Sequence, residues 1–517
     1  MRNRALLTAC AALAVIAGLV SIPTAAEAGG GRDDSQKLRK KVTLSAIRAH
    51  QKAFQRHADR NNGTRASGTP GYDASAAYVK RQLRRAGYVV TEQPFDFPFF
   101  RELSDPVLQQ TQPNIKDYVL GTDYGTMDYS SSGDVTAVLQ NAAGIQIPPG
   151  PTPSSSSSGC TAADFTGFVP GNIALIQRGT CSFADKANNA QAAGASAVII
   201  FNEGQPGRED NFGGTLGNPE TIPVLSASFA VGAELAALSS PTIRVKTDTL
   251  SEIRSTVNVF AEKRDHRHTN NDRVLVVGAH LDSVFEGPGI HDNGSGSAAI
   301  LEIALQMRRG GFRTHNKVRF AWWGAEESGL LGSEFYVTNL TDEERAKIYA
   351  NLNFDMIGSP NAVRFVYDGD GSDTPDAGPA GSDVIEDVFL DYFAAKGLAN
   401  KPTAFDGRSD YGPFIDVGIP AGGLFTGAEG LKTAEEAVIF GGEAGIAYDI
   451  CYHQACDDIN NVGTLGLKTL DEMSDATAHA IITIGNRRDP LVPPAARARV
   501  SRVELDNLPY RGGHLQR

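Results

Sequence analysis

Val274-Leu275-Val276-Val277-Gly278-Ala279-His280-Leu281-Asp282-Ser283, followed closely by Gly289-Ile290-His291-Asp292-Asn293-Gly294-Ser295-Gly296, decides the fold. The apolar run at 274–277 is too short for a helix and ends at a glycine, so it reads as a strand buried on both faces. Residues 297–309 then place Ile300, Ile303, Ala304 and Met307 at helical spacing. Working outward, 318–323, 351–356 and 421–425 are further short apolar runs, each leading into glycine or acidic residues. Strand, helix, strand in this rhythm predicts an α/β domain with a mostly parallel mixed sheet flanked by helices. Ligands of such sheets bind beyond the carboxyl ends of the strands.

The reactive side chains gather at that edge. His280 and Asp292 follow the first strand, Glu326 and Glu327 follow the run at 318–323, and Asp355 closes the run at 351–356. Cys451-Tyr452-His453-Gln454-Ala455-Cys456 supplies a second histidine. Two imidazoles and several carboxylates converging in a buried place repel unless cations neutralise them. A pair of divalent ions is the simplest neutraliser. Imidazole with carboxylate suits zinc, and two ions about 3.5–4 Å apart need a carboxylate shared between them. Asp292 is our choice of bridge.

In this order, the motifs resemble the two-zinc bacterial aminopeptidases, whose zinc exopeptidase fold is shared with glutamate carboxypeptidase and the transferrin receptor. The resemblance runs from about Gly63-Thr64 to Ala480. It implies one Zn²⁺ on His280 and Asp355, the other on Glu327 and His453, and Asp292 between them. It further implies Glu326 as general base, Asp282 as the carboxylate orienting His280, and Tyr452 as an oxyanion donor. Asp406-Gly407-Arg408-Ser409-Asp410-Tyr411 and Gly422-Gly423-Leu424-Phe425-Thr426-Gly427 look like substrate-side loops. By resemblance Arg408 lies near the substrate's terminal amine and carbonyl, and Met356 and Phe425 line an apolar pocket for the first residue. A cis peptide bond is expected between Asp292 and Asn293. His291 stands where the family has a small amide, and reads as a loop residue in preference to a third imidazole near the metals. A Ca²⁺ site at Asp471 and Asp475 is also suggested, although carboxylates four apart on a helix are ordinarily just solvated. Gly171-Asn172-Ile173-Ala174-Leu175-Ile176-Gln177-Arg178-Gly179-Thr180-Cys181-Ser182-Phe183 resembles a protease-associated domain, and the segment around it is β-rich, with short runs at 135–139, 173–176 and 198–201 and a helix near 184–193.

The chain of 517 residues exceeds what one core sustains. We expect a signal peptide at 1–28, because Arg2 and Arg4 precede an apolar run over 5–22 and Ala26-Glu27-Ala28 forms a cleavage site. A flexible lead-in at 29–44, a peptidase domain at 45–128 and 251–486, an inserted domain at 129–250 and a basic flexible tail at 487–517 complete the expected organisation. Within the insert, the Pro/Ser-rich stretch at 148–159 reads as a solvated loop. A net charge of −12 disfavours nucleic acid as a partner. The four cysteines past the leader suggest two local disulfides, Cys160 with Cys181 and Cys451 with Cys456. The expected protein is a secreted monomer without a stable membrane anchor, acting on peptides with a free amino terminus and a large apolar first residue. A metal carboxypeptidase, a glutaminyl cyclase or a receptor-like binding protein on the same fold are the alternatives.

Overall fold

The computed structural model describes residues 31–264 and 269–492. The expected leader at 1–28 and most of the expected tail lie outside these residues. Four parallel strands form the centre of the sheet, in the order Ala421–Phe425, Ile348–Phe354, Asn270–His280 and Asn316–Trp323. Their carboxyl ends therefore share one edge, with Trp323 opposite His280 and Asn353 opposite both Gly278 and Gly423. Ile348–Phe354 is buried at every residue, Asn351 and Asn353 included. The helix Gly294–Arg309 is buried along most of its length, in a core shared with the Gly463–Asn486 helix. It begins three residues before the expected start because the Asn293 side chain accepts the Gly296 N–H and caps it.

A long antiparallel ribbon extends this sheet. Val89–Gln112 pairs with Thr242–Glu262 from Val89 opposite Glu262 to Gln112 opposite Thr242. Its base joins the peptidase sheet through Asn316–Trp323, and its far end joins Gly133–Asn141. From there the sheet continues through Ile173–Gln177, Ala197–Phe201, Val224–Ala227 and Tyr124–Thr126. The insert thus rides on a continuous β-ribbon and has its own core on both sheet faces, around Leu175, Ile199 and Leu225 on one and Ile176, Ile200 and Val224 on the other.

Three expectations are corrected. The lead-in is ordered: Gly31–Arg39 is a helix, and Ser35, Leu38 and Val42 form a buried stripe. Ser35 Oγ lies 2.8 Å from His479 Nδ1, and Arg39 lies 3.5 Å from Asp475. Asp475 thereby faces a cation, while Asp471 accepts the Leu44 backbone N–H. The start of the tail is docked as well. Leu491 and Val492 are buried in the main core, and Tyr349 Oη donates to the Asp489 carbonyl at 2.7 Å. The Pro/Ser-rich loop at 148–159 is solvated only in part: its tip at 151–154 is exposed, whereas Ser156 and Ser158 are buried and Gln205 donates to the Gly150 and Thr152 carbonyls. Both disulfides, Cys160–Cys181 and Cys451–Cys456, are formed. Among the described residues no helix is long and apolar enough to cross a membrane.

Candidate active site

Three of the four parallel strands deliver acidic residues through sharply turned loops. After His280, the chain wraps the fully buried Arg65 guanidinium, which donates to the Pro288 carbonyl at 2.7 Å and to the Leu281 and Gly289 carbonyls. Those bonds satisfy loop carbonyls that burial would otherwise strand. Next, the Asp292–Asn293 peptide bond is cis, and Asn293 Nδ2 donates to the Phe354 carbonyl at 2.9 Å. After Trp323, the left-handed Ala325 (φ 54°) redirects the chain so that Glu326 and Glu327 both face His280 and its neighbours. Asp355 is followed by the left-handed Met356 (φ 48°). One Asp355 oxygen is occupied by Ser409 Oγ at 2.6 Å, leaving the other for the centre.

His280 Nε2 stands 3.1 Å from Asp292 Oδ1, 3.1 Å from Asp355 Oδ1 and 3.9 Å from Glu326 Oε2. His453 Nε2 stands 3.3 Å from Asp292 Oδ2 and 3.1 Å from Glu327 Oε2. The two oxygens of Asp292 therefore face different imidazoles. His280, Asp292 and Glu327 converge closely enough to hold one ion, and so do His280, Glu326 and Asp355. Burial and the neighbouring anions Asp355, Glu327 and Asp410 push Glu326 well above the carboxylate range, against the pull of His280. Burial, then Asp292, pushes Glu327 up to about 7. His453 rises to about 11 because Glu327 and Asp292 outweigh the effect of burial. Glu327 Oε1 is buried without a hydrogen-bond partner. An orphaned carboxylate oxygen among like charges is costly, and a nitrogen-and-oxygen donor set of this kind fits zinc.

The sequence matches peptidase family M28 over residues 258–481 and the PA domain over 140–235. An aminopeptidase of Pseudomonas aeruginosa strain UCBPP-PA14 is 48% identical over 424 residues, covering 81% of this chain and 77% of the relative. The chain belongs to peptidase family M28. Leucine aminopeptidase 2 of Arthroderma otae is 40% identical over 446 residues, covering 84% of this chain and 83% of that one. The solved aminopeptidase from Aneurinibacillus sp. strain AM-1 superposes with a TM-score of 0.64 at 26% identity, covering 90% of this chain and all of that one. The α/β sheet with an inserted PA domain is as the sequence reading expects.

Met356, Arg408 and Phe425, expected on the substrate side, share one pocket. A pocket of about 70 Å³ beside the centre is lined by Met356, Tyr367, Arg408, Phe425 and Tyr452. Within it Arg408 pairs with Glu429 at 2.8 Å. The Tyr452 ring stacks on His453, with centroids 3.8 Å apart. Asp282 Oδ1 is 3.6 Å from His280 Nδ1, beyond hydrogen-bond length, and its carboxylate instead faces the Glu326 and Glu327 N–H groups at 3.4 Å. His291 is a loop residue, as expected, but a buried one whose imidazole pairs with carboxylates other than the candidate ligands. It is fully buried, with Nδ1 2.7 Å from Asp449 and 3.3 Å from Asp457. Despite its burial, Asp457 and Asp449 raise it to about 9.

Sequence reasoning passed over Asp457, Asp410, Ser409 and Arg65 as supporting residues. The Asp457 carboxylate accepts the backbone N–H groups of Ile290, His291 and Asp292. It thereby fixes the turn that presents Asp292. Asp410 is fully buried and pushed up to about 8, chiefly by burial. Position within the Asp406–Tyr411 motif is the one signal that could have singled out Ser409 and Asp410.

Proposed function

We propose that this M28 peptidase is an exported aminopeptidase that holds two zinc ions and removes single residues, preferring large apolar ones, from the amino ends of peptides. The observation carrying the reading is Asp292, whose two oxygens face His280 on one side and His453 on the other. His280, Asp292 and Asp355 would hold one ion, and Asp292, Glu327 and His453 the other. When bound, such a pair supplies an acidified water and polarises the carbonyl under attack. Glu326 lies in the pocket wall. Its carboxylate is placed to accept the proton that the nucleophile loses and to return it to the nitrogen of the leaving amine. Tyr452 Oη, on the same wall, would donate to the oxyanion. The pocket is small enough for one side chain, and Met356 and Phe425 give it an apolar wall, consistent with the leucine named for the fungal relative. The surrounding carboxylates suit a free α-ammonium group, which an internal peptide bond lacks. Two disulfides and the leader-like start support export.

The test is metal-dependent hydrolysis of leucyl-4-nitroanilide. A chelator should abolish turnover, and zinc should restore it as two ions bind per chain, while the N-acetylated substrate should stay intact. Full activity after metal removal, or equal turnover of the blocked substrate, contradicts the reading.

A further inference from the structure

A second, larger cavity opens from the other side of the same centre. The 70 Å³ pocket and a cleft of about 550 Å³ share Glu327, Tyr452 and His453 as a common wall. Volumes of several hundred Å³ take ligands of several residues, whereas the smaller pocket takes one. If the terminal residue sits in the pocket, the rest of the peptide must leave through the cleft. Its floor comes from the peptidase domain, including Phe285, Glu286 and Gln454. Its roof comes from the β-ribbon and the insert, through Arg101, Glu102 and Asp128.

Charge in the cleft is uneven. Among the described residues no cation figures among the groups acting on Glu102 or Asp128. Glu102 accepts one bond from Thr126 Oγ1 at 2.8 Å and has Asp105 as a further anionic neighbour. Burial, then Glu102, pushes Asp128 up to about 7, as expected of a carboxylate without a counter-ion. Apart from His453 at the centre, the cation of the lining is Arg101, which lies over the Phe285 ring at 3.8 Å. A substrate ammonium or guanidinium group would relieve the repulsion between the roof carboxylates.

We infer that the cleft is a binding site for the departing part of the peptide, and that Asp128 and Glu102 select substrates carrying a Lys or Arg within the first few positions after the cleaved bond. The inference rests on the aminopeptidase reading. It goes beyond that reading by giving the PA insert a part in sequence preference.

The test uses the full-length enzyme and pentapeptides that begin with Leu and carry one Lys, Ala or Glu at position two, three or four. At low ionic strength kcat/KM should favour Lys over Glu by about tenfold at one position or more, and salt should shrink the ratio. Asp128→Asn and Glu102→Gln should each lower that ratio. Because the readout is a ratio within each protein, a general loss of activity cannot imitate it. Turnover of leucyl-4-nitroanilide with a Lys-to-Glu ratio near one at every position overturns this inference alone. A wild-type preference that survives in both variants overturns it too. No turnover of leucyl-4-nitroanilide by zinc-loaded wild type would instead sink the aminopeptidase reading.

Discussion

Glu326 and Glu327 are neighbours in sequence, yet their surroundings differ, and the different work proposed for them rests on that. Glu327 Oε2 lies 3.1 Å from His453 Nε2, in ligand position, while Glu326 approaches His280 no closer than 3.9 Å. Glu326→Ala should therefore keep both metals and lose about 10²–10⁴ in kcat, the usual share of a general base. Glu327→Ala should lose zinc. Equal zinc contents in the two purified variants, measured by atomic emission, would reverse the assignment. Behind them, Asp457 holds three consecutive N–H groups at Asp292. In Asp457→Asn the amide must turn an N–H toward one of those donors. Removing an outer partner of a metal ligand typically lowers affinity about 10–100-fold. Competition with a zinc indicator should show that loss, with turnover per loaded molecule retained; unchanged affinity would reduce Asp457 to a structural residue.

At the scale of elements, the parallel strands were legible because burial on both faces leaves unbroken apolar runs, as in Val274 to Val277. The β-ribbon was not. Val89–Gln112 carries Pro94, Pro98 and Pro106 and mixes buried with exposed residues, and proline inside a run argues against a central strand. The Gly31–Arg39 helix was missed because its buried stripe is only a few residues deep within a charged segment. The clustering of the proposed ligands was legible because they follow strand ends in recognisable motifs. Arg65 and Asp457 were not, since each acts on a loop far away in sequence. Two substitutions test these elements. Leu38 is completely buried, so Leu38→Ala should cost about 2–5 kcal/mol, lowering the thermal midpoint; no change would mean that the lead-in contributes nothing. A Cβ at Gly423 would sit 1.8 Å from the Asn353 carbonyl oxygen. Gly423→Ala should push apart the strands carrying Asp355 and Phe425, costing at least about 1–3 kcal/mol and raising KM for leucyl substrates.

For the whole molecule, the decisive feature is that the insert hangs from a ribbon whose base is packed independently of its tip. Phe95, Phe97 and Phe99 bury the base against Ala325, Phe285 and Phe335, and the pairing of Arg101 with Leu250 closes that packed section. Beyond it, the insert has separate cores, so removing it strips no apolar contact from the peptidase core. Replacing residues 102–249 by a two-residue Asn-Gly turn suits the twist of an antiparallel pair. The shortened chain should retain turnover of leucyl-4-nitroanilide, because every proposed metal ligand and the proposed first-residue pocket remain. It should also lose the roof of the 550 Å³ cleft, which Glu102 and Asp128 help to form. The rate for twenty-residue peptides relative to the anilide should then rise, since a long chain no longer has to thread between ribbon and centre. Preference for Lys over Glu after the cleaved bond should disappear with it. A long-to-short ratio identical in the full and shortened chains, with both fully zinc-loaded, would remove the insert from substrate selection and leave the preference to the peptidase domain alone.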